Sequence, residues 1–279
     1  MKIKQHLIKS CVQLLKKLIG QNNTLLITKH ILHTLPIRYA FPLTWLCLDE
    51  LPLNAQTEAQ YRLGVPRNFP QTKVKVNPKC LHARFFAISG YYEEFLTKEI
   101  LSPKRKGLLI DIGANFGYYS ILWLQKNETR AIAIEPVEEY VQLLNENLQS
   151  YAPRYSIFPG CIGDRDGAAF VDTFGDPTML SKVVTEDRTE SRRVEMLTLS
   201  SLLKQCNEQT IDVLKIDAEG YDIKILEGCQ PLFETKSIKT VFWEPANSPE
   251  EQKMINFLEN LGYSKILDRG AIGYELLSN

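Results

Sequence analysis

The side chains of this chain that could do chemistry are acids standing where apolar runs end. Asp111 closes Leu108-Leu109-Ile110 and leads into Ile112-Gly113-Ala114-Asn115-Phe116-Gly117. Glu135 closes Ala131-Ile132-Ala133-Ile134 ahead of Pro136. Asp217 closes Val213-Leu214-Lys215-Ile216, with Glu219, Gly220 and Asp222 just beyond it, and Glu244 closes Phe242-Trp243 ahead of Pro245. In open α/β sheets a ligand lies in the crevice outside the carboxyl ends of the strands. Acids at several adjacent strand ends would line one such crevice.

Gly113 and Gly117 suit a tight turn where backbone must come close to a ligand. The helix that follows opens with unsatisfied N–H donors. A nicotinamide dinucleotide would call for G-x-G-x-x-G with pyrophosphate on that helix, and the glycine spacing here is different. An acid just before the first glycine suits a cationic ligand. S-adenosylmethionine has an ammonium that Asp111 could take and a carboxylate that the helix N-terminus could take; an Asp that only caps the helix is the alternative. Glu135 stands 22 residues after Gly113, where dinucleotide folds grip a ribose diol. The alternative for Glu135 is a cap on the helix expected at 137–149.

Strand parity places Val213, Lys215 and Asp217 on one face. A Lys in a buried strand needs a partner, because an unpaired buried charge is costly, and Asp217 can supply it. If the methyl of such a cofactor were passed to a hydroxyl, the site would have to align it and supply a base for its proton. All four histidines fall within the first 82 residues, so Asp217, Glu219 and Glu244 are the candidate bases, with His82 as the alternative. Acids this close should repel, which raises a pKa or invites a hard cation such as magnesium on Asp217, Glu219 and Glu244; Lys215 could neutralise the same charge. Helix capping at an acid-rich rim is the bland reading.

These residues require elements to hold them. Strands are expected at 107–112, 130–135, 155–159, 211–217 and 239–244, and helices at 117–126, 137–149, 220–228 and 249–261. Such alternation implies a parallel, doubly wound sheet. Residues 166–199 break it; they read as a hairpin whose charged segment, Thr185 to Arg193, forms an exposed flap. Ala83 to Ile100 reads as one helix. Residues 50–80, rich in Pro, Asn and Gln, read as a connector. The expected domains are 1–82, a basic and mostly helical extension with its connector, and 83–279.

Lysine plus arginine and aspartate plus glutamate both total 33, which gives no overall bias toward nucleic acid. The balance is uneven along the chain. Residues 1–48 hold seven bases and no acid, and the remainder holds 26 bases against 33 acids. Ile3, Leu7, Cys11, Leu14, Leu15 and Leu18 recur at helical spacing, with Lys2, Lys9, Gln13 and Lys16 on the other side. That helix lies either on an anionic membrane or against its own body or a second subunit. His30 and His33 could ligate a metal or be ordinary partly buried histidines. No apolar run is long enough to span a bilayer. Six cysteines without paired spacing, and no signal peptide, point to reduced thiols in the cytoplasm, with peripheral membrane contact as an option.

The strings Asp111-Ile112-Gly113-Ala114-Asn115-Phe116-Gly117, Glu135-Pro136 and Leu214-Lys215-Ile216-Asp217-Ala218-Glu219-Gly220, in this order and spacing, resemble the FkbM-type S-adenosylmethionine-dependent methyltransferases over roughly residues 85–245. Gly90-Tyr91-Tyr92-Glu93 resembles that family's opening segment, and Cys161-Ile162-Gly163-Asp164 its adenine-side turn. The resemblance implies an α/β class I methyltransferase (Rossmann-like) fold: a mostly parallel seven-stranded sheet with helices on both faces, here preceded by a helical extension. It implies cofactor contacts from Asp111, Gly113, Asn115, Gly117, Glu135, Cys161, Asp164 and Asp217, and methyl transfer to an oxygen of a sugar or natural-product small molecule. Asp222 stands where the family often has Glu, and Thr198-Leu199-Ser200-Ser201 where it often has Asp, which bears on the acceptor more than on the cofactor. Competing readings are a non-catalytic cofactor-binding adapter at a membrane and a nicotinamide reductase. A nucleic-acid methylase would want an N-P-P-Y-like motif and a basic body, and neither is present.

Overall fold

The computed structural model describes residues 2–51, 53–54, 57–172, 182–184 and 191–277. The chain divides into two compact units, Met1–Glu94 and Phe95–Asn279.

The first unit is mainly helical: α1 (Lys2–Thr34), α2 (Ile37–Glu50), α3 (Glu58–Tyr61) and α4 (Leu81–Ser89), with a small antiparallel pair, β1 (Leu63–Gly64) and β2 (Val74–Lys75). The connector expected at 50–80 thus carries α3 and this pair. α1 is two helices joined at Gly20, whose backbone (φ 80°, ψ 164°) leaves the helical region. Val12, Leu25, Leu32, Ala40, Cys47, Leu51, Tyr61 and Phe86 fill the core of the unit. Arg67 ties its turns together by donating to the carbonyls of Leu32, Leu35 and Ser89. α4 stops at Gly90, which adopts φ +71°; a Cβ there would lie 2.5 Å from the His33 ring. This left-handed cap is why the single helix expected over Ala83–Ile100 is two helices.

The second unit begins with α5 (Glu94–Leu101) and runs through β3 (Gly107–Ile112), α6 (Tyr118–Leu124), β4 (Thr129–Ile134), α7 (Glu138–Leu148), β5 (Tyr155–Phe158), β6 (Cys161–Gly163), β7 (Gly167–Asp172), β8 (Lys182–Val184) and β9 (Ser191–Thr198). It continues with α8 (Leu199–Gln205), β10 (Ile211–Ile216), α9 (Asp222–Gly228), α10 (Gln230–Glu234), β11 (Ile238–Trp243), α11 (Pro249–Asn260), β12 (Tyr263–Arg269) and β13 (Ala271–Leu276). The main sheet has the order β12-β13-β11-β10-β3-β4-β5. β11, β10, β3, β4 and β5 are parallel, and β13 pairs antiparallel with β11 and β12. This is the class I methyltransferase arrangement that the resemblance implied.

The five parallel strands fall within a residue or two of their expected places, because each is a near-continuous apolar run of the kind a doubly covered sheet demands. β12 and β13 lie beyond the last expected helix. They form an antiparallel edge in which β12 carries the exposed Lys265, Asp268 and Arg269, while β13 buries Ala271, Ile272 and Tyr274. The hairpin expected within 166–199 is β7 with β9, paired from Gly167–Met196 to Asp172–Ser191. It belongs to a second sheet, β6-β9-β7-β8. Of the expected flap, residues 185–190 lie outside the described residues.

Candidate active site

Strand order reverses around β3, which has β4 on one side and β10 on the other. Most of the singled-out acids lie around this switch point.

Asp111 and Lys215 are direct partners in the β3–β10 ladder. Both are almost fully enclosed, at 1% and 3% side-chain exposure. The Lys215 ammonium sits 3.3 Å from Asp111 Oδ1 and 3.3 Å from Asp217 Oδ2. It also donates to the carbonyls of Ile112 (3.1 Å) and Gly113 (3.0 Å). The other Asp111 oxygen accepts from the Ser120 amide (3.1 Å) and hydroxyl (2.8 Å). Asp111 thus locks the first turn of α6 to β3 and balances the buried ammonium. The sequence pointed to Asp217 as the partner of Lys215; Asp111 and the two loop carbonyls come to light only in the fold.

The turn after β3 fits a ligand that needs close backbone approach. Gly113 has φ +69°, and a Cβ there would stand 1.9 Å from the Asp217 carbonyl oxygen. The loop is therefore pressed against the chain leaving β10, with the Asp217 amide donating to the Ile112 carbonyl at 3.2 Å. Gly117 (φ +89°) precedes α6, and a Cβ there would lie 2.9 Å from Leu144. Asn115 (φ +52°) gives its amide to Glu135, and its side-chain oxygen is buried without a hydrogen-bond partner. An unsatisfied buried acceptor is uncommon and suits a donor supplied by a ligand.

Glu135 is buried at the end of β4. One of its oxygens accepts from the Asn115 amide and the other from the Val137 amide, both at 2.9 Å. Each oxygen keeps a second lone pair for a hydroxyl. Burial, first of all, pushes its pKa up to about 7, against the pull of the two amides and of Lys215. Cys161 is buried on β6, close enough for the Glu135 charge to act on it; burial drives its thiol up to about 12. Asp164, just past β6, is partly exposed and pairs with Arg165 at 3.3 Å. Its backbone lies against α9, where a Cβ on Gly228 would meet the Asp164 Cα at 3.0 Å.

On the other side of the switch point, Asp217 is 31% exposed. Asp222 is buried and accepts from the Ala218 and Gly220 amides, each at 3.3 Å, which shapes the turn between them. That turn holds Glu219 at φ +52° and Gly220 at φ +91°. Burial and then the charges of Asp217, Glu244 and Asp222 push the Glu219 carboxyl up to about 8. Glu244, past the end of β11, is shifted up by burial and by Asp217 and Asp222. Asp217, Glu219 and Glu244 therefore share one electrostatic neighbourhood. Among the described residues no group of three or more His, Cys, Asp or Glu is placed to hold a metal ion. His82 belongs to the first unit, exposed on α4, with its ring 5.7 Å from that of Tyr92.

A family model for the methyltransferase FkbM domain matches residues 111–265. That is more than half of the chain, and the chain belongs to this family: it is an S-adenosylmethionine-dependent methyltransferase. No curated protein matches it. Among solved structures, the chain is similar to precorrin-6y C5,15-methyltransferase from Geobacter metallireducens, at 13% identity over 64% of this chain and 84% of that one, with a TM-score of 0.38. It is also similar to the METTL16 methyltransferase domain, at 11% identity over 74% of each chain and a TM-score of 0.45. A protein of the NADB-Rossmann superfamily from Streptococcus agalactiae shares 16% identity over 67% of this chain and 69% of that one, with a TM-score of 0.39.

Proposed function

We propose that the protein methylates a hydroxyl of a small molecule, a sugar or a natural-product scaffold, and that Glu219 receives the hydroxyl proton. The observation that carries this reading is the raised Glu219 carboxyl, held on a left-handed turn beside the partly exposed Asp217 at the switch point. A base with a pKa of about 8 is far better matched to an alcohol's proton near neutral pH than an ordinary carboxylate.

The residues at the switch point fit the cofactor. When bound, S-adenosylmethionine supplies an electrophilic methyl carbon on a sulfonium. Glu135 would accept the ribose hydroxyls, and the Gly113 turn would bring backbone against the ligand. Asn115 Oδ1 would accept one of its donors, and Asp217 would face its ammonium. Cys161 and Asp164 would border the base side. Asp111 acts through Lys215 and Ser120. Glu219, with Glu244 beside it, takes the acceptor's proton; Asp217 and Glu244 keep that carboxyl basic by charge repulsion. His82 is the alternative base.

Six free cysteines suit a reducing compartment, and we place the reaction in the cytoplasm with a small-molecule acceptor, not a nucleic acid. The test is mass spectrometry of extracts from cells with and without the protein, alongside labelling with methyl-tritiated cofactor. A metabolite pair differing by one methyl group, with label in the small-molecule fraction, is expected. Label confined to RNA or DNA would overturn the acceptor class.

A further inference from the structure

The N-terminal unit buries only one side of its helices. Val12, Thr24, Leu25, Thr28 and Leu32 of α1 face inward. On the outside stand Leu14 (57% exposed), Leu18 (70%), Ile27 (41%) and Ile31 (49%), with Tyr39 and Phe41 exposed on α2. The outward face of a surface helix is ordinarily polar. Here Leu14 and Leu18 are four residues apart, as are Ile27 and Ile31, so each half of α1 carries its own outward apolar stripe. Exposed apolar groups gathered in this way mark an interaction surface.

Charge decides what covers that surface. Seven bases and no acid lie in residues 1–48. Glu50 engages Lys9 at 3.0 Å, and its carbonyl accepts from Lys16, while Lys17 is exposed beside Leu14 and Leu18. Residues 1–94 as a whole hold thirteen bases against five acids, so a second copy meeting this face would bring two strongly basic units together. An anionic lipid surface is complementary in both respects, since it receives the apolar side chains and attracts the bases. No helix among the described residues is long and apolar enough to cross a membrane.

We infer that the N-terminal unit docks on the anionic face of a phospholipid bilayer, inserting Leu14, Leu18, Ile27 and Ile31 from the two halves of α1. The Gly20 junction lets each half set its own stripe, because its non-helical backbone at φ +80° interrupts the helical phase. The two stripes, with Lys17 beside the first, lie on the membrane and do not span it, and the net positive charge of the unit attracts the anionic surface from a distance.

The experiment is flotation of the full-length protein with vesicles of phosphatidylcholine alone or mixed with phosphatidylserine, at low and high salt. Recovery with the anionic vesicles is expected to exceed recovery with neutral ones and to fall with salt. Leu14→Ser with Leu18→Ser should abolish flotation, and Lys17→Glu should weaken it by about fivefold or more. Both variants should bind S-adenosylmethionine as the wild type does, since the substituted side chains are exposed and outside the cofactor site. Equal recovery with both vesicle types, or none with either, overturns the inference. So does a doubled mass in light scattering that the Leu14→Ser, Leu18→Ser variant loses, which would assign the face to a second copy.

Discussion

Lys215 lies directly across the β3–β10 ladder from Asp111, and its single ammonium joins that carboxylate to Asp217 and to the carbonyls of Ile112 and Gly113. One buried cation thus holds together the two strand ends between which the cofactor turn is folded. A buried pair of this kind adds little net stability, because desolvation offsets attraction. Losing one partner is a different matter.

Lys215→Met keeps most of the volume and removes the charge. Asp111 and the two carbonyls are left buried beside an apolar chain. Unfolding measurements should show a loss of about 3–5 kcal/mol, the range for breaking a buried pair. A loss below about 1 kcal/mol would mean that water or another cation replaces the ammonium.

Gly113→Ala should disable the cofactor turn. The new methyl would sit 1.9 Å from the Asp217 carbonyl, on a backbone of φ +69°. Both the turn and the chain after β10 would have to move. Calorimetric titration should find S-adenosylmethionine binding weakened by at least about tenfold, beyond the usual cost of a non-glycine residue in this region.

Cofactor affinity should depend on pH through Glu135. Its carboxyl is held up near 7 by burial, and hydroxyls donating to it favour the ionised form. Binding then releases a proton below that pH. Affinity should rise by up to about tenfold per pH unit below 7 and level off above it. Titrations in buffers of different ionisation enthalpy will show the proton. Glu135→Gln should lose the pH dependence and about 1.5–3 kcal/mol of binding.

The turnover profile should report Glu219. A base must be ionised to work, so the rate should climb as pH rises toward about 8 and then flatten. Glu219→Gln should reduce kcat by roughly 10²–10⁴-fold with cofactor affinity nearly unchanged. Full activity in that variant together with collapse in His82→Ala would transfer the role to the histidine. Glu219 also shapes stability. Its folded pKa is raised, so its contribution is greatest below the ordinary carboxylate range and is lost as pH rises toward 8. Glu219→Gln should flatten that part of the stability curve.

Chelation should leave turnover as it is where Glu219 alone takes the acceptor's proton. Activity abolished by a chelator and restored by magnesium would mean that the acceptor brings the missing ligands.

The parallel strands, the two glycine turns and the acids at the strand ends were legible in the sequence because each is local. An apolar run ending in Asp or Glu before a glycine or proline announces a strand edge without knowledge of its neighbours. The pairing of Lys215 was only half visible. Asp217, two residues on, can be reached by parity, but Asp111 is over a hundred residues away and meets Lys215 through the strand order alone. The roles within the acid cluster were equally hidden, since a carboxyl's pKa depends on how deeply its turn is buried and on which charges the fold gathers round it. Asp222, which looks like one more acid in the sequence, is enclosed and organises the turn that leaves Glu219 the proton-accepting candidate. In the N-terminal arm, composition alone established the seven bases and the apolar repeat. Which apolar residues turn inward and which stay in water was decided by packing, because a helix has two sides and periodicity does not say which of them the protein covers.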